Sequence, residues 1–171
     1  KNIRTRSQAV IDDSLLIDLP PDTYMHMLRD GLKMPLIEHV LITHSHQDHF
    51  YPEDLLFRCG GFAHGITAPL TIYGNPTVIN KLNVYRKSMS VQEKNLQTRL
   101  RWIELKPFET TQINQYRITP LLASHDPAET CFIYIIEKNG KSILYANDTG
   151  FFPEETWEYL QDHNLNMVSL D

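Results

Sequence analysis

The chain has 171 residues, a net charge of −5, 42% apolar residues and 22% charged residues, which is typical of one globular domain. No apolar run is long enough to cross a bilayer and the N-terminal residues lack the apolar core of a secretory signal, so we expect a cytoplasmic protein with no membrane partner. The acidic balance disfavours a large polyanionic partner. Cys59 and Cys131 lie far apart, which argues against a disulfide framework.

Strands and helices are predicted to alternate in the first half of the chain. The elements are a two-stranded hairpin, a helix, a strand, a short helix, a strand and a helix, over residues 8–12, 14–18, 22–31, 38–42, 52–59, 70–74 and 75–85. The first helix is expected to place Tyr24, Met27 and Leu28 on one face, with His26 and Met25 as ordinary surface and core residues. This alternation predicts helices packed on a sheet.

The second half of the chain is predicted to be rich in strands. They span residues 100–105, 116–123, 131–137, 142–146 and 166–170, with one helix over 153–162. Asn139-Gly140 predicts a tight hairpin, because both residues tolerate a positive φ. The preceding segment 86–101 carries five basic residues and one acidic residue. It is either a solvated helix face or a lid that contacts phosphate.

Three histidines and one carboxylate lie within six residues, from His44 to His49, directly after a predicted strand. Imidazole and carboxylate groups are ligands of borderline divalent ions such as Zn²⁺. His44 and His46 share one side only on an extended backbone, so they would bind one ion, while Asp48 and His49 could bind a second. The alternative is a solvated loop that is rich in histidine.

Two further candidate ligands, His125 and Asp148, stand at the ends of later predicted strands. A two-metal hydrolase needs ligands from several strand ends, because no single loop has the reach to supply all of them. A carboxylate placed last can bridge both ions through its two oxygens, and a water held between the ions becomes a strong nucleophile. His125 or Asp148 alone would more often be structural, so the hypothesis depends on their order along the chain.

The run Thr-His-Ser-His-Gln-Asp-His over residues 43–49 resembles the HxHxDH motif of the metallo-β-lactamase superfamily, and the later ligands fall where that family places its own. The resemblance covers nearly the whole chain. It implies a single domain over residues 1–171 with a four-layer α/β fold, the αββα sandwich. It also implies that Asp18 orients a ligand histidine. The implied ligands of the first ion are His44, His46 and His125, and those of the second ion are Asp48, His49 and the bridging Asp148. The resemblance also implies that Asp48 and Asp148 take part in catalysis.

One element of the family pattern is missing, because no histidine that matches the last metal ligand of the family follows Asp148. We therefore expect a partial chain, with the sandwich incomplete at both ends. The alternative is a degenerate site that binds one metal poorly, in a non-catalytic accessory protein.

The sequence around His125 and Asp148 is most similar to the phosphodiesterase branch of the superfamily, which includes tRNase Z and the phosphoribosyl cyclic phosphodiesterases of the carbon–phosphorus lyase pathway. The His-Thr-Pro-Gly-His run of the glyoxalase and thioesterase branch is absent. This resemblance implies a hydrolase with two Zn or Mn ions that acts on a small cyclic phosphodiester or nucleotide, with nucleic acid as the less favoured substrate. Thioester or lactam hydrolysis is the enzymatic alternative, and the oligomeric state is left open.

Overall fold

The computed structural model describes residues 4–59, 66, 68–88 and 98–171, except for the side chains of residues 56 and 88. The chain divides into two compact units, which we call the N-terminal unit (Lys1–Glu104) and the C-terminal unit (Leu105–Asp171). Among the described residues, each unit contains one five-stranded sheet. Within the described ranges, no helix combines the length and the hydrophobicity needed to cross a membrane.

The N-terminal unit alternates strands and helices, as predicted. Its elements are β1 (Ala9–Ile11), β2 (Leu15–Ile17), α1 (Thr23–Arg29), a 3-10 turn (Met34–Leu36), β3 (His39–Leu41), α2 (Glu53–Cys59), β4 (Leu70–Gly74), α3 (Pro76–Ser88) and β5 (Leu100–Glu104). The sheet order is β1-β2-β3-β4-β5; β1 pairs with β2 antiparallel, and the other pairs are parallel. The carboxyl ends of β2 to β5 therefore lie along one edge of the sheet, where ligand sites of parallel sheets are found.

Apolar side chains of the parallel strands form the core of this unit. Leu16, Val40 and Ile72 are fully buried, as expected for strands that are covered on both faces. Helix α3 approaches β4 closely through Val78. A Cβ atom on Gly74 would lie 2.8 Å from Val78 Cγ1, so the absence of a side chain at this position allows the close approach.

The C-terminal unit is mainly antiparallel. Its elements are β6 (Thr111–Ile113), β7 (Tyr116–Leu122), β8 (Phe132–Lys138), β9 (Lys141–Ala146), α4 (Glu154–Gln161) and β10 (Met167–Leu170). The sheet order is β10-β9-β8-β7-β6, with only β10 and β9 parallel. Asn139 and Gly140 have φ values of 51° and 72°, which confirms the predicted hairpin turn. Thr156 of α4 donates to the Leu122 carbonyl (2.9 Å) and fixes the helix on β7.

Helix α1 differs from expectation in the environment of His26. Tyr24 and Leu28 are 65% and 71% exposed, whereas His26 is buried. The His26 ring is hydrogen-bonded through Nδ1 to Gln8 Oε1 (2.6 Å) and through Nε2 to Thr5 Oγ1 (2.9 Å). His26 is therefore buried against polar partners from the N-terminal residues.

Smaller differences concern element bounds and one missed strand. Helix α3 continues to Ser88 instead of ending near residue 85, and β6 was not predicted. Much of the basic segment 86–101, including Lys94, and the Gly60-Gly61 helix stop lie outside the described residues. Among the described members of that segment, Arg86 stacks over the Trp102 ring at 5.2 Å.

Candidate metal centre

The predicted histidine cluster forms the loop that follows β3, which we call the histidine loop (residues 43–49). It begins at the carboxyl edge of the parallel sheet, where the Ile42 N–H donates to the Tyr73 carbonyl of β4 (2.8 Å). His44 and His49 are buried within it, while Asp48 is exposed. The sheet therefore presents histidine nitrogens at its edge from a rigid strand end.

The ring nitrogens of the histidine loop converge. His44 Nε2 lies 3.1 Å from His46 Nδ1, so the two side chains share one side of the backbone, as the spacing predicted. His49 Nε2 lies 3.8 Å from Asp48 Oδ2. Neutral imidazole and carboxylate donors at these separations are chemically suited to a borderline divalent cation.

The buried Asp18 side chain forms hydrogen bonds with residues of the histidine loop. Asp18 is fully buried and has a φ of 62°, and its Oδ1 accepts hydrogen bonds from the Thr43 N–H (2.8 Å) and hydroxyl (2.9 Å). Its Oδ2 lies 2.8 Å from His49 Nδ1. Because a carboxylate accepts, it selects the tautomer of His49 that carries its proton on Nδ1 and its lone pair on Nε2. Asp18 thus contacts a candidate ligand histidine, as the family resemblance implied.

The same burial affects the electrostatics of Asp18. Burial raises the pKa of this carboxyl group, while the hydrogen bonds from His49 and Thr43 oppose that rise. A buried carboxylate is unfavourable unless its oxygens are hydrogen-bonded, and here both oxygens have donors. The histidine loop and Asp18 therefore depend on each other for their arrangement.

Lys81, which was not predicted as a functional residue, also contacts the histidine loop. Lys81 of α3 donates from Nζ to the Ser45 carbonyl (2.6 Å) and to the Phe50 carbonyl (3.0 Å). The ammonium group also lies 5.6 Å from the centre of the Phe50 ring. These contacts join helix α3 to both ends of the segment that carries His46, Asp48 and His49. Nothing in the local sequence signals them, because the partners are far apart along the chain.

In the C-terminal unit, the remaining two candidates lie close together. His125 follows β7 and Asp148 follows β9, and His125 Nε2 is 3.8 Å from Asp148 Oδ2. Their side chains are 28% and 30% exposed. Asp148 has a φ of 55°, and its N–H donates to the Asp171 carboxylate (3.0 Å).

Two hydrogen bonds join the loops that carry His125 and Asp148. The Gly150 N–H donates to the Ser124 carbonyl (2.8 Å), and the Ser124 N–H donates to the Thr149 hydroxyl (3.0 Å). Each unit therefore brings its own candidates together: His44, His46, Asp48 and His49 in one, and His125 and Asp148 in the other. Their joint binding of two ions stays a prediction.

Comparison with known proteins gives one family. The profile of the Beta-lactamase superfamily domain matches residues 14–170. A Ribonuclease Z of Staphylococcus epidermidis is 27% identical over 110 residues, which cover 64% of this chain and 35% of that protein. The matched region thus spans about a third of the length of this curated relative.

Solved structures share the fold. The metallo-β-lactamase fold protein YhfI from Bacillus subtilis has a TM-score of 0.70 at 18% identity, covering 96% of this chain and 63% of that chain. A diphosphatase from the PhnP family has a TM-score of 0.68 at 22% identity, covering 93% of this chain and 56% of that chain. These matches confirm the resemblance and the mixed α/β fold class predicted from the sequence. Since the family profile spans residues 14–170, the chain belongs to the β-lactamase superfamily and has the metallo-β-lactamase fold.

Proposed function

We propose that the chain is a metal-dependent hydrolase that cleaves a phosphodiester with two divalent ions, Zn or Mn. The observation that carries the proposal is the histidine loop. His44 Nε2 and His46 Nδ1 lie 3.1 Å apart, and the buried Asp18 holds His49 by its Nδ1. Imidazoles that are fixed by a carboxylate on the far ring nitrogen are typical of metal ligands rather than of solvated loop residues.

The proposed ligands divide as the family resemblance implies. His44, His46 and His125 would hold the first ion, and Asp48, His49 and Asp148 the second. Divalent ions bound there would supply Lewis-acid polarisation of a phosphoryl oxygen. The Asp148 side chain, 30% exposed, has two oxygens and can serve two partners at once. The side chain of Asp48 lies beside His49 and is 54% exposed, which would allow a substrate to reach it from solvent.

The favoured substrate is a small cyclic phosphodiester or a nucleotide. The net charge of −5 disfavours a long polyanion. A structural relative is a diphosphatase of the PhnP family, which is consistent with a small phosphate ester. An RNA substrate is the second candidate, and the observation that favours it is the similarity to Ribonuclease Z.

The proposal is tested by turnover of the Mn²⁺- or Zn²⁺-loaded protein on bis(p-nitrophenyl) phosphate, a cyclic nucleotide, a precursor tRNA and an acyl-glutathione. We expect the first two to be hydrolysed and the His46→Ala and Asp148→Ala variants to lose this activity. His163→Ala is the matched control, because this histidine caps the end of α4 by donating from Nδ1 to the Tyr159 carbonyl (2.7 Å) and lies outside the proposed ligand set.

Each contrary result has a distinct meaning. Preference for the precursor tRNA would replace the small substrate by RNA, and preference for acyl-glutathione would move the protein to the thioesterase class. Metal-loaded protein with no turnover of any substrate would support the accessory-protein alternative. Activity that survives in both ligand variants would refute the proposed site.

A further inference from the structure

A large, mainly apolar cavity opens in the N-terminal unit. Its volume is about 800 Å³, and it lies between α1, the 3-10 turn and α2. The main apolar side chains that line it are those of Tyr24, Met27, Met34, Tyr51, Leu55 and Phe57. This volume lies in the upper part of the range that small-molecule sites occupy, about 300–1,000 Å³. None of the six proposed metal ligands belongs to its described lining.

One wall of the cavity carries a buried arginine. Arg58 of α2 is only 8% exposed. Its Nη2 donates to the Ala68 carbonyl (3.1 Å), and its Nη1 lies at the limit of hydrogen bonding, 3.5 Å from the Met34 carbonyl. Nε is buried and has no hydrogen-bond partner among the described residues. Both acceptors are neutral carbonyl groups, so within the described residues no anion compensates the positive charge.

The surroundings of Arg58 make this charge more unfavourable. Burial lowers the pKa of Arg58, and the neighbouring Arg99 lowers it further. Asp54 also lines the cavity, but no ion pair joins it to Arg58 within the described ranges, and burial raises the pKa of Asp54. A buried cation without an anionic partner is strongly unfavourable, so an anion that entered the cavity would gain from neutralising it.

We propose that this cavity binds an anionic amphiphile, with the apolar body against Met27, Leu55 and Phe57 and a carboxylate or phosphate head group on Arg58. Guanidinium pairs with either oxyanion through charge-assisted, often bidentate, hydrogen bonds. The lining is mainly apolar, its polar side chains include Thr23 and Asp54, and Arg58 supplies the buried positive charge. The inference does not depend on the proposed hydrolase activity, because binding requires neither metal nor turnover.

The test is calorimetric titration of the metal-free protein with dodecanoate and dodecyl phosphate below their critical micelle concentrations and with dodecanol below its solubility limit. The three ligands share an alkyl chain and differ in head group. We expect both anions to bind roughly tenfold to a hundredfold more tightly than the alcohol, as charge-assisted hydrogen bonds imply. The difference between the two anions identifies which head group the site prefers.

Three variants locate the effect. Arg58→Met removes the charge while keeping an unbranched apolar stem, and we expect it to fold, since replacing a buried charge by an apolar group is tolerated. In this variant, the preference for anions should disappear while the alcohol still binds. Arg101→Met removes an exposed arginine of the same unit and should change nothing. Met27→Trp, which fills the cavity, should weaken binding of all three ligands.

Equal affinity of the wild type for dodecanoate, dodecyl phosphate and dodecanol would overturn the proposal, as would failure of all three to bind. An anion preference that persists in Arg58→Met, or that Arg101→Met loses to the same extent, would also overturn it. Circular dichroism of each variant verifies that the comparison is made between folded proteins.

Discussion

The two sets of candidate ligands differ in how firmly the fold holds them. In the N-terminal unit, His44 and His49 are buried, and the loop that carries them is bonded to Asp18 and to Lys81. In the C-terminal unit, the side chains of His125 and Asp148 are about 30% exposed, and hydrogen bonds join the two loops that carry them. Contacts with buried residues therefore fix the candidate ligands of the N-terminal unit, whereas the positions of His125 and Asp148 depend on the loops that carry them.

The difference follows from sheet topology. Parallel strands of the N-terminal unit end at one edge, so a loop at that edge is surrounded by neighbouring strands and by a helix. In the C-terminal unit, His125 lies in the loop between the antiparallel strands β7 and β8, and Asp148 lies in the loop that leads from β9 to α4, so both candidates are carried by partly exposed loops. We therefore expect substitutions beside the first set to have larger effects than equivalent substitutions beside the second.

Removal of a ligand should have the largest effect. We expect His44→Ala to remove the first ion, and Asp148→Ala to empty the second site and weaken the first, because Asp148 is the proposed bridge. His125→Ala should chiefly affect the first ion. Elemental analysis after dialysis measures the metal content, with His163→Ala as the control that keeps it. Asp148→Ala that holds as much metal as the wild type would refute the bridging role.

Asp18→Asn should have the next largest effect. The amide keeps the size of the side chain but can no longer act as a charged acceptor for His49 Nδ1 and Thr43. We expect metal affinity to fall about 10- to 100-fold and the free energy of unfolding to fall by about 1–3 kcal/mol. Competition with a chelator and chemical denaturation measure the two effects.

The matched control for Asp18→Asn is Asp22→Asn. Asp22 is also a hydrogen-bonded aspartate of the N-terminal unit, but its partner is Arg6 at the surface. It should lose little stability and no metal affinity. If both variants behave alike, the buried position of Asp18 has no special role.

Lys81→Met should act more weakly, through the backbone of the histidine loop. It removes the donors to the Ser45 and Phe50 carbonyls while keeping an unbranched apolar stem. We expect a loss of about 1–2 kcal/mol of stability and a fall of several-fold in metal affinity. Lys87→Met, an exposed change on the same helix, is the control. Unchanged metal affinity in Lys81→Met would show that the loop keeps its geometry without this contact.

Asp171→Ala should have the smallest effect. The Asp171 carboxylate accepts from the Asp148 N–H at an exposed site, where water can replace it. We expect a loss of at most about 0.5–1 kcal/mol and a change in second-site affinity of no more than a few-fold, with Asp162→Ala as control. A loss as large as that of Asp18→Asn would contradict the difference between the two sets of ligands.

Local patterns predicted most of the elements. The Asn139-Gly140 turn and the extended spacing of His44 and His46 can be recognised from neighbouring residues alone. The burial of His26 in α1 could not be predicted in this way, because it depends on hydrogen bonds to Gln8 and Thr5, which are distant along the chain. Strand β6 has only three residues, too few to show a periodicity.

The candidate site was predictable as a set of residues but not as an arrangement. The resemblance indicated the ligands and the contact of Asp18 with a histidine. It could not indicate Lys81, whose carbonyl partners are 36 and 31 residues away, or the buried Arg58, whose environment is assembled from α1, α2 and the 3-10 turn. Such contacts depend on tertiary packing, which no local pattern encodes.

The left-handed backbone at Asp18 and Asp148, with φ values of 62° and 55°, also limits how these codons can change. Single-nucleotide changes of an aspartate codon reach asparagine, glycine, glutamate, alanine, valine, histidine and tyrosine. Asparagine and glycine accept a left-handed backbone readily but have no carboxylate. Glutamate keeps the carboxylate but is one methylene longer and is not favoured at positive φ. Any single-nucleotide change that replaces the aspartate at either codon therefore gives a residue that lacks the carboxylate, does not favour a positive φ, or both.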